Sequence, residues 1–210
     1  MTDNRRVWES AYQRRGNLWG GATPLLPDLP PRSRVLELGC GNGKVMAGLS
    51  GRDCDVVGLD FSNAAAVAAR VALPSSWPGH VVLADARILP FITGSFDAVI
   101  ARHIIGHMTR SGREQIAREI VRVLRAEGTL HFSGFSCEDF RYNQGTLLEV
   151  GTFMRGNGIS THYFSADDLR ALFSALSCES LHDSRWTLRI RGKDHVRSEI
   201  QATFRKPGSP

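Results

Sequence analysis

A chain of 210 residues fits one domain and is long enough to bury a substantial core. Its 42% hydrophobic and 22% charged content is that of an ordinary globular protein. No apolar run approaches the ~20 residues of a membrane span, so no membrane partner is expected.

The first six residues, ending in the basic pair Arg5-Arg6, lead into no apolar stretch. They do not read as a secretory signal, and a cytoplasmic location is expected. Residues 8–21 are rich in aromatics, Trp8, Tyr12 and Trp19 among them, and suit a short amphipathic helix docked on the domain. From residue 34 strands and helices alternate. Strands are predicted at 34–39, 55–60, 80–84, 96–101 and 128–134, with helices at 43–50, 62–72 and 111–124. Ser111 and Glu114 have capping-box spacing, and Ile116, Ile120, Val123 and Leu124 recur at helical spacing behind them. A second capping box, Ser165 with Asp168, opens a helix that sets Leu169, Leu172, Phe173 and Leu176 on one side. The chain closes with a predicted β-hairpin: Trp186 to Arg191, a turn at Gly192-Lys193-Asp194, then Val196 to Phe204.

The densest chemical signal lies between residues 33 and 63. An apolar strand (Val35, Leu36, Leu38) runs into Gly39, Gly41 and Gly43, and a second apolar strand ends at Asp60, about twenty residues on. Backbone without Cβ lets a nucleoside approach closely, and a carboxylate at the end of the second strand accepts from a ribose diol. The layout therefore binds an adenosine-containing cofactor, and by spacing alone it also suits a dinucleotide. Two details favour a cationic cofactor over NAD. The third glycine of G-x-G-x-x-G comes one residue early, with Lys44 in its place, and Glu37 sits where a phosphate would be repelled and an ammonium attracted.

Glu37-x-Gly39-x-Gly41-x-Gly43 and Asp60 closely resemble motif I and the acidic loop of class I S-adenosylmethionine (SAM) dependent methyltransferases, in particular the small stand-alone methyltransferase-domain proteins. The resemblance is strong over residues 33–135 and topological beyond them. It implies an α/β, Rossmann-like fold: a seven-stranded, mostly parallel sheet with a C-terminal antiparallel β-hairpin and helices on both faces. One domain over 1–210 is expected, with an aromatic lid at 1–32, a SAM-binding core at 33–135, a substrate-rim insertion at 136–164, and a C-terminal helix and hairpin at 165–210. The resemblance also implies SAM as cofactor and S-adenosylhomocysteine as product. The cofactor would be held by Glu37, Gly39, Cys40, Gly41, Asn42, Gly43, Asp60, Phe61, Asp85, Ala86 and Arg102. Asp85 would take the adenine amine and Ala86 a ring nitrogen, while Arg102 closes the strand beside the methionine part. Tyr12 and Trp19 would face the sulfonium from the lid. Asp97 belongs to the turn into its strand.

His103 and His107 follow that strand and are the candidate catalytic groups, as proton acceptors or substrate positioners. In the long polar stretch after residue 136, Arg141, Tyr142, Arg155, His162 and Tyr163 are candidates for shaping a polar or anionic substrate pocket. The four cysteines, at 40, 54, 137 and 178, have neither C-x-x-C nor metal-ligand spacing, so no metal is expected.

No Asn/Asp-Pro-Pro-Tyr/Phe or Pro-Cys signature follows the fourth strand. This argues against the nucleic-acid methylation chemistries that use them. The expected reaction is in-line methyl transfer to O, N or S of a small-molecule acceptor. RNA (tRNA or rRNA) or protein methylation is the main alternative, and a SAM-binding protein without transferase activity is the second. Net charge +5 and pI near 9.4 keep an anionic partner open. Arg185, Arg189, Arg191 and Arg197 of the hairpin would serve it if their face is open; pairing with Asp194 and Glu199 would weaken that reading.

Overall fold

A computed structural model describes residues 4–15, 26–74, 77 and 79–208. Five parallel strands, β1 (Ser33–Leu38), β2 (Cys54–Asp60), β3 (His80–Leu83), β4 (Phe96–Arg102) and β5 (Leu124–Phe135), lie in the order β3-β2-β1-β4-β5. The sheet is completed by the hairpin of β10 (Lys193–Arg205), antiparallel to β5, and β9 (Ser177–Ile190) at its edge.

The central strands read as near-continuous apolar runs because they are buried on both faces. Successive side chains alternate. Val35, Val56 and Ile100 pack with Met46 and Leu49 of α2 (Lys44–Leu49) and Ala66 and Ala69 of α3 (Asn63–Ala72). Their neighbours Leu36, Val57 and Val99 face the other way, onto Ile116 and Ile120 of α4 (Arg110–Val123) and Leu169 of α5 (Ala166–Leu172). Each fully buried Leu, Ile or Phe in these two layers contributes about 1.5–3 kcal/mol. α1 (Asn4–Arg15) packs against α3 through Trp8, Tyr12 and Ala65.

Three local expectations are corrected. α4 is capped by Thr109, whose hydroxyl accepts from Gly112 N at 3.3 Å, and not by Ser111. Thr109 is extended and Ser111 is already helical, so Glu114 is free to pair with Arg110 at 3.2 Å. The hairpin turns one residue early, at Arg191 and Gly192, both with positive φ (47° and 79°). A two-residue turn of that kind matches the twist of its strands, and Lys193 then pairs with Ile190. Finally, the stretch after residue 136 is not plain loop. It holds a small antiparallel sheet of β6 (Thr146–Glu149), β7 (Thr152–Met154) and β8 (Ser160–His162). Its two ends meet where Phe164 N donates to Phe135 O and Cys137 N to Phe164 O. α5 begins as expected, with Ser165 and Asp168 forming a full capping box.

Candidate active site

β1 delivers the chain to the carboxyl end of the sheet, where Gly39 N and Cys40 N both donate to Leu59 O at 2.7 and 3.0 Å. Gly41 and Gly43 have φ of 54° and 78°. A Cβ on Gly41 would stand 2.5 Å from the Tyr12 hydroxyl, and one on Gly43 3.1 Å from Ala69 Cα. The first glycine therefore lets α1 close over the turn, and the second lets α2 pack on α3. The Cys40 side chain turns away, into the apolar layer with Met46 and Val56, so only its backbone is in the turn. Asn42 is half-buried between the two glycines.

Asp60 is buried and fixed by backbone. Its Oδ2 accepts from Gly41 N at 3.0 Å and its Oδ1 from Ser62 N at 2.9 Å. Each oxygen keeps a lone pair, and burial raises the carboxyl above its ordinary value despite those N–H groups. Asp60 lines a cleft at the carboxyl end of the sheet. Gly39, Phe61, Asp85, Ala86, Arg102, His103, His107 and Tyr12 line the same cleft. Asp85 is gripped by the Arg87 fork, Nη2 to Oδ2 at 2.6 Å. Burial would raise its carboxyl, but the fork outweighs burial and holds it low.

α1 forms the roof. Trp8 and Tyr12 are buried against α3, and Trp8 meets the His107 ring edge-on at 4.8 Å. Glu9 anchors the helix by accepting from Ser62 Oγ at 2.8 Å, at the positive end of α3. Burial and nearby Asp60 push the Tyr12 phenol well up. Trp19 lies outside the described residues. Trp8 also lines the cleft, a contact beyond those expected of the aromatic segment; its spacing of four from Tyr12 puts both on one helix face.

His103, with φ of 57°, ends β4 in a strained turn held by its N–H to Ser133 O at 2.8 Å. Its Nε2 meets Glu199 Oε1 at 2.9 Å, and its ring lies 4.5 Å from that of Phe135. Burial raises the Glu199 carboxyl and the His103 bond lowers it, with a net fall. His107 Nδ1 is 2.7 Å from Ser160 O. A carbonyl only accepts, so Nδ1 carries the proton and Nε2 a lone pair. Burial pushes this imidazole down to about 4.

Glu37, two residues before the glycine turn, is buried. Its Oε2 has no partner among the described residues, and burial lifts its carboxyl to about 8, with the Arg102 charge only partly opposing.

None of the expected substrate group, Arg141, Tyr142, Arg155, His162 and Tyr163, lines this cleft. His162 does not join the cleft: its Nδ1 bonds Thr152 Oγ1 at 2.9 Å, and it lines a separate hollow with Arg113 and Asp168. Tyr142 and Tyr163 stack edge-on at 5.8 Å, and Tyr163 lies 6.3 Å from Phe135, on whose ring His103 also rests. Arg141 is half-buried and Arg155 exposed. Phe135 and Asp139 belong to no local motif, and Glu199 and Arg197 bear in sequence only on the basic face. Arg197 bonds buried Asp139 at 2.6 Å and lies over Phe135 at 4.3 Å. These contacts exist only in the β5–β10 register, which pairs Glu199 with Phe135. Among the described residues no three His, Cys, Asp or Glu side chains converge as a metal site. No helix among them is long and apolar enough to cross a membrane.

The residues suit SAM. The glycine turn is a cradle without Cβ, Asp60 offers two free lone pairs, and Glu37 offers an orphaned buried oxygen near which a cationic amino-acid moiety is welcome. The sheet order and this cleft are those of a class I SAM-dependent methyltransferase. Residues 36–132 match the methyltransferase-domain family, and this match, the fold and the relatives together support a SAM-dependent methyltransferase of that class. It is similar to a tRNA N(3)-methylcytidine methyltransferase of Drosophila melanogaster, 27% identical over 99% of this chain and 73% of that enzyme. It is also similar to a malonyl-[acyl-carrier protein] O-methyltransferase of Legionella pneumophila, 36% identical over 54% of this chain but 39% of that enzyme. A SAM-dependent methyltransferase structure from Methanosarcina mazei superposes with a TM-score of 0.73 at 21% identity, covering 86% of this chain and 95% of that one.

Proposed function

We propose that the protein transfers a methyl group by in-line displacement to an O, N or S atom of a small-molecule acceptor. SAM supplies a methyl group activated on a sulfonium. Asp60 holds the ribose diol, Asp85 the adenine amine, and Glu37, once it gives up its proton to the arriving cation, holds the ammonium. Trp8 and Tyr12 exclude water from above. His103, oriented by Glu199, and His107, with its Nε2 lone pair, face the cleft from the end of β4 and position the acceptor; either takes its proton through nitrogen.

The observation that carries the small-molecule reading is the state of the hairpin arginines. Of the four expected there, Arg185 pairs with Glu138, Arg189 with Asp194 at 3.3 Å, and Arg197 is buried on Asp139, while Arg191 is exposed; Arg205 beside them pairs with Glu179. A basic face for a polyanion is largely neutralised, while the cleft is roofed by a helix. One observation favours tRNA as a second reading: the similarity to the Drosophila tRNA enzyme runs along nearly the whole chain. Labelled SAM, incubated with cleared lysate and the protein, separates them, with Asp60→Ala as the blank. Label in the small-molecule filtrate is expected. Label held in a nuclease-sensitive fraction would overturn this reading in favour of RNA.

A further inference from the structure

β9 is the outermost strand of the seven-stranded sheet. On one side it is bonded to β10; on the other, among the described residues, no strand or loop backbone meets it. None of its fourteen residues is buried, and it holds neither proline nor lysine, two common devices that keep an edge from pairing. Alternate residues turn N–H and C=O outward, so the strand presents a row of donors and acceptors that another extended chain satisfies.

The charges of the strand say which chain. Besides His182, its titratable acids and bases are Glu179, Asp183, Arg185 and Arg189, and they are antisymmetric about Ser184: the acids stand five and one residues before it, the bases one and five after. A second β9, laid antiparallel across a two-fold axis at Ser184, sets Asp183 opposite Arg185 and Glu179 opposite Arg189, each pair occurring twice. The other face then brings His182 beside Trp186, which is otherwise 41% exposed. Moving the axis one residue either way puts Asp183 against Asp183 or Arg185 against Arg185, which is unfavourable, and no other axis along the strand pairs all four charges. Within one chain Arg185, Arg189 and Glu179 make exposed ion pairs with Glu138, Asp194 and Arg205, which contribute little, while Asp183 has no ion-pair partner among the described residues. Glu179 is the extra residue of a bulge, since Thr203 faces Ser180 and Phe204 faces Cys178. Its pair therefore lies at the irregular end, and the central pairs of Asp183 with Arg185 set the register.

We infer that the protein forms a two-fold dimer by antiparallel pairing of β9 with β9 about Ser184, which joins two seven-stranded sheets into one. The inference is independent of the acceptor reading, yet the interface lies near the site. Ser184 pairs with Glu199 of β10, and Glu199 meets His103 at 2.9 Å, so the dimer axis is one strand away from the carboxylate that orients this histidine.

The test is sedimentation velocity of the whole 23.1 kDa chain, from about 1 µM to about 1 mM, the affinity range of a small interface. A dimer that dissociates on dilution is expected. Asp183→Arg sets arginine against arginine, and Arg185→Asp sets carboxylate against carboxylate; each alone is expected to weaken the dimer about tenfold or more. The two together exchange the charges and are expected to restore it. Both positions are exposed, so the variants keep the fold, which circular dichroism checks. A monomer throughout the range, a dimer indifferent to both single changes, or one that the double change does not restore would each overturn the inference.

Discussion

The cleft and the region around Phe135 beside it are built in opposite ways. From β1 to the end of β4, binding groups are backbone amides and carboxylates fixed by backbone, all within one stretch of chain: Gly41 N and Ser62 N clamp Asp60, and Leu59 O receives the turn. Around Phe135 the structure is held instead by side chains from the insertion and from β10, tied by one buried ion pair, Arg197 with Asp139. A backbone-built site tolerates change around it and serves a fixed cofactor. One built of side chains changes with single substitutions.

Breaking the region around Phe135 should cost most. Arg197→Ala leaves Asp139 buried and unpaired, and a loss of about 3–5 kcal/mol of folding stability is expected by chemical denaturation. The Arg197→Met, Asp139→Leu pair should recover a large part of it. A loss below 1 kcal/mol in the single variant would show that the pair is not the scaffold of this region.

Titration reaches both regions. Burial pushes His107, His131 and His162 down from 6.5 to about 4. As pH falls from 6.5 toward 4 the unfolded chain takes up protons that the native imidazoles refuse, and their contribution to stability is lost. Glu37 has the opposite sign. Its carboxyl keeps a proton up to about 8 when folded but releases it near 4.5 when unfolded, so its contribution is present below 4.5 and lost as pH rises through 8. Glu37→Gln is expected to remove the alkaline loss, a few kcal/mol at most, and to keep the acid loss. Melting curves across that range check it, and parallel curves for the two proteins would contradict it.

A smaller effect sharpens the contrast. Gly43→Ala puts a Cβ 3.1 Å from Ala69 Cα at a φ of 78° and is expected to cost about 1–3 kcal/mol of stability, read from the denaturation midpoint. Smallest of all, Arg185→Ala and Arg189→Ala remove exposed ion pairs and should change stability by no more than about 0.5 kcal/mol. Methyl transfer to a small acceptor should be unchanged in both; a loss of transfer would bring the basic face back as a partner surface.

The same contrast explains what the sequence made legible. The glycine turn, Asp60, Asp85 and the sheet order could be read because each is a local pattern of residues set by backbone need. The roof was readable as aromatics at helical spacing. The Thr109 cap was not, since two hydroxyls two residues apart compete and the dihedral angle of the chain entering the helix decides. The small sheet of β6 to β8 was missed because its strands are three or four residues long and show no usable alternation. His162 looked like its polar neighbours, but strand alternation turned it onto Thr152 and away from the cleft. Glu199 and Arg197 came to the site only through the hairpin register, a long-range fact with no local trace.

The central claim is that the glycine-turn cleft with Asp60 at its floor binds the methionine-derived nucleoside. Its most direct test is titration of S-adenosylhomocysteine, with NADH as control, into wild type and Asp60→Ala. Binding of S-adenosylhomocysteine alone is expected, weakened by about 1–3 kcal/mol in the variant, or roughly 5- to 150-fold. Equal affinity in both proteins, or a preference for NADH, would contradict the account.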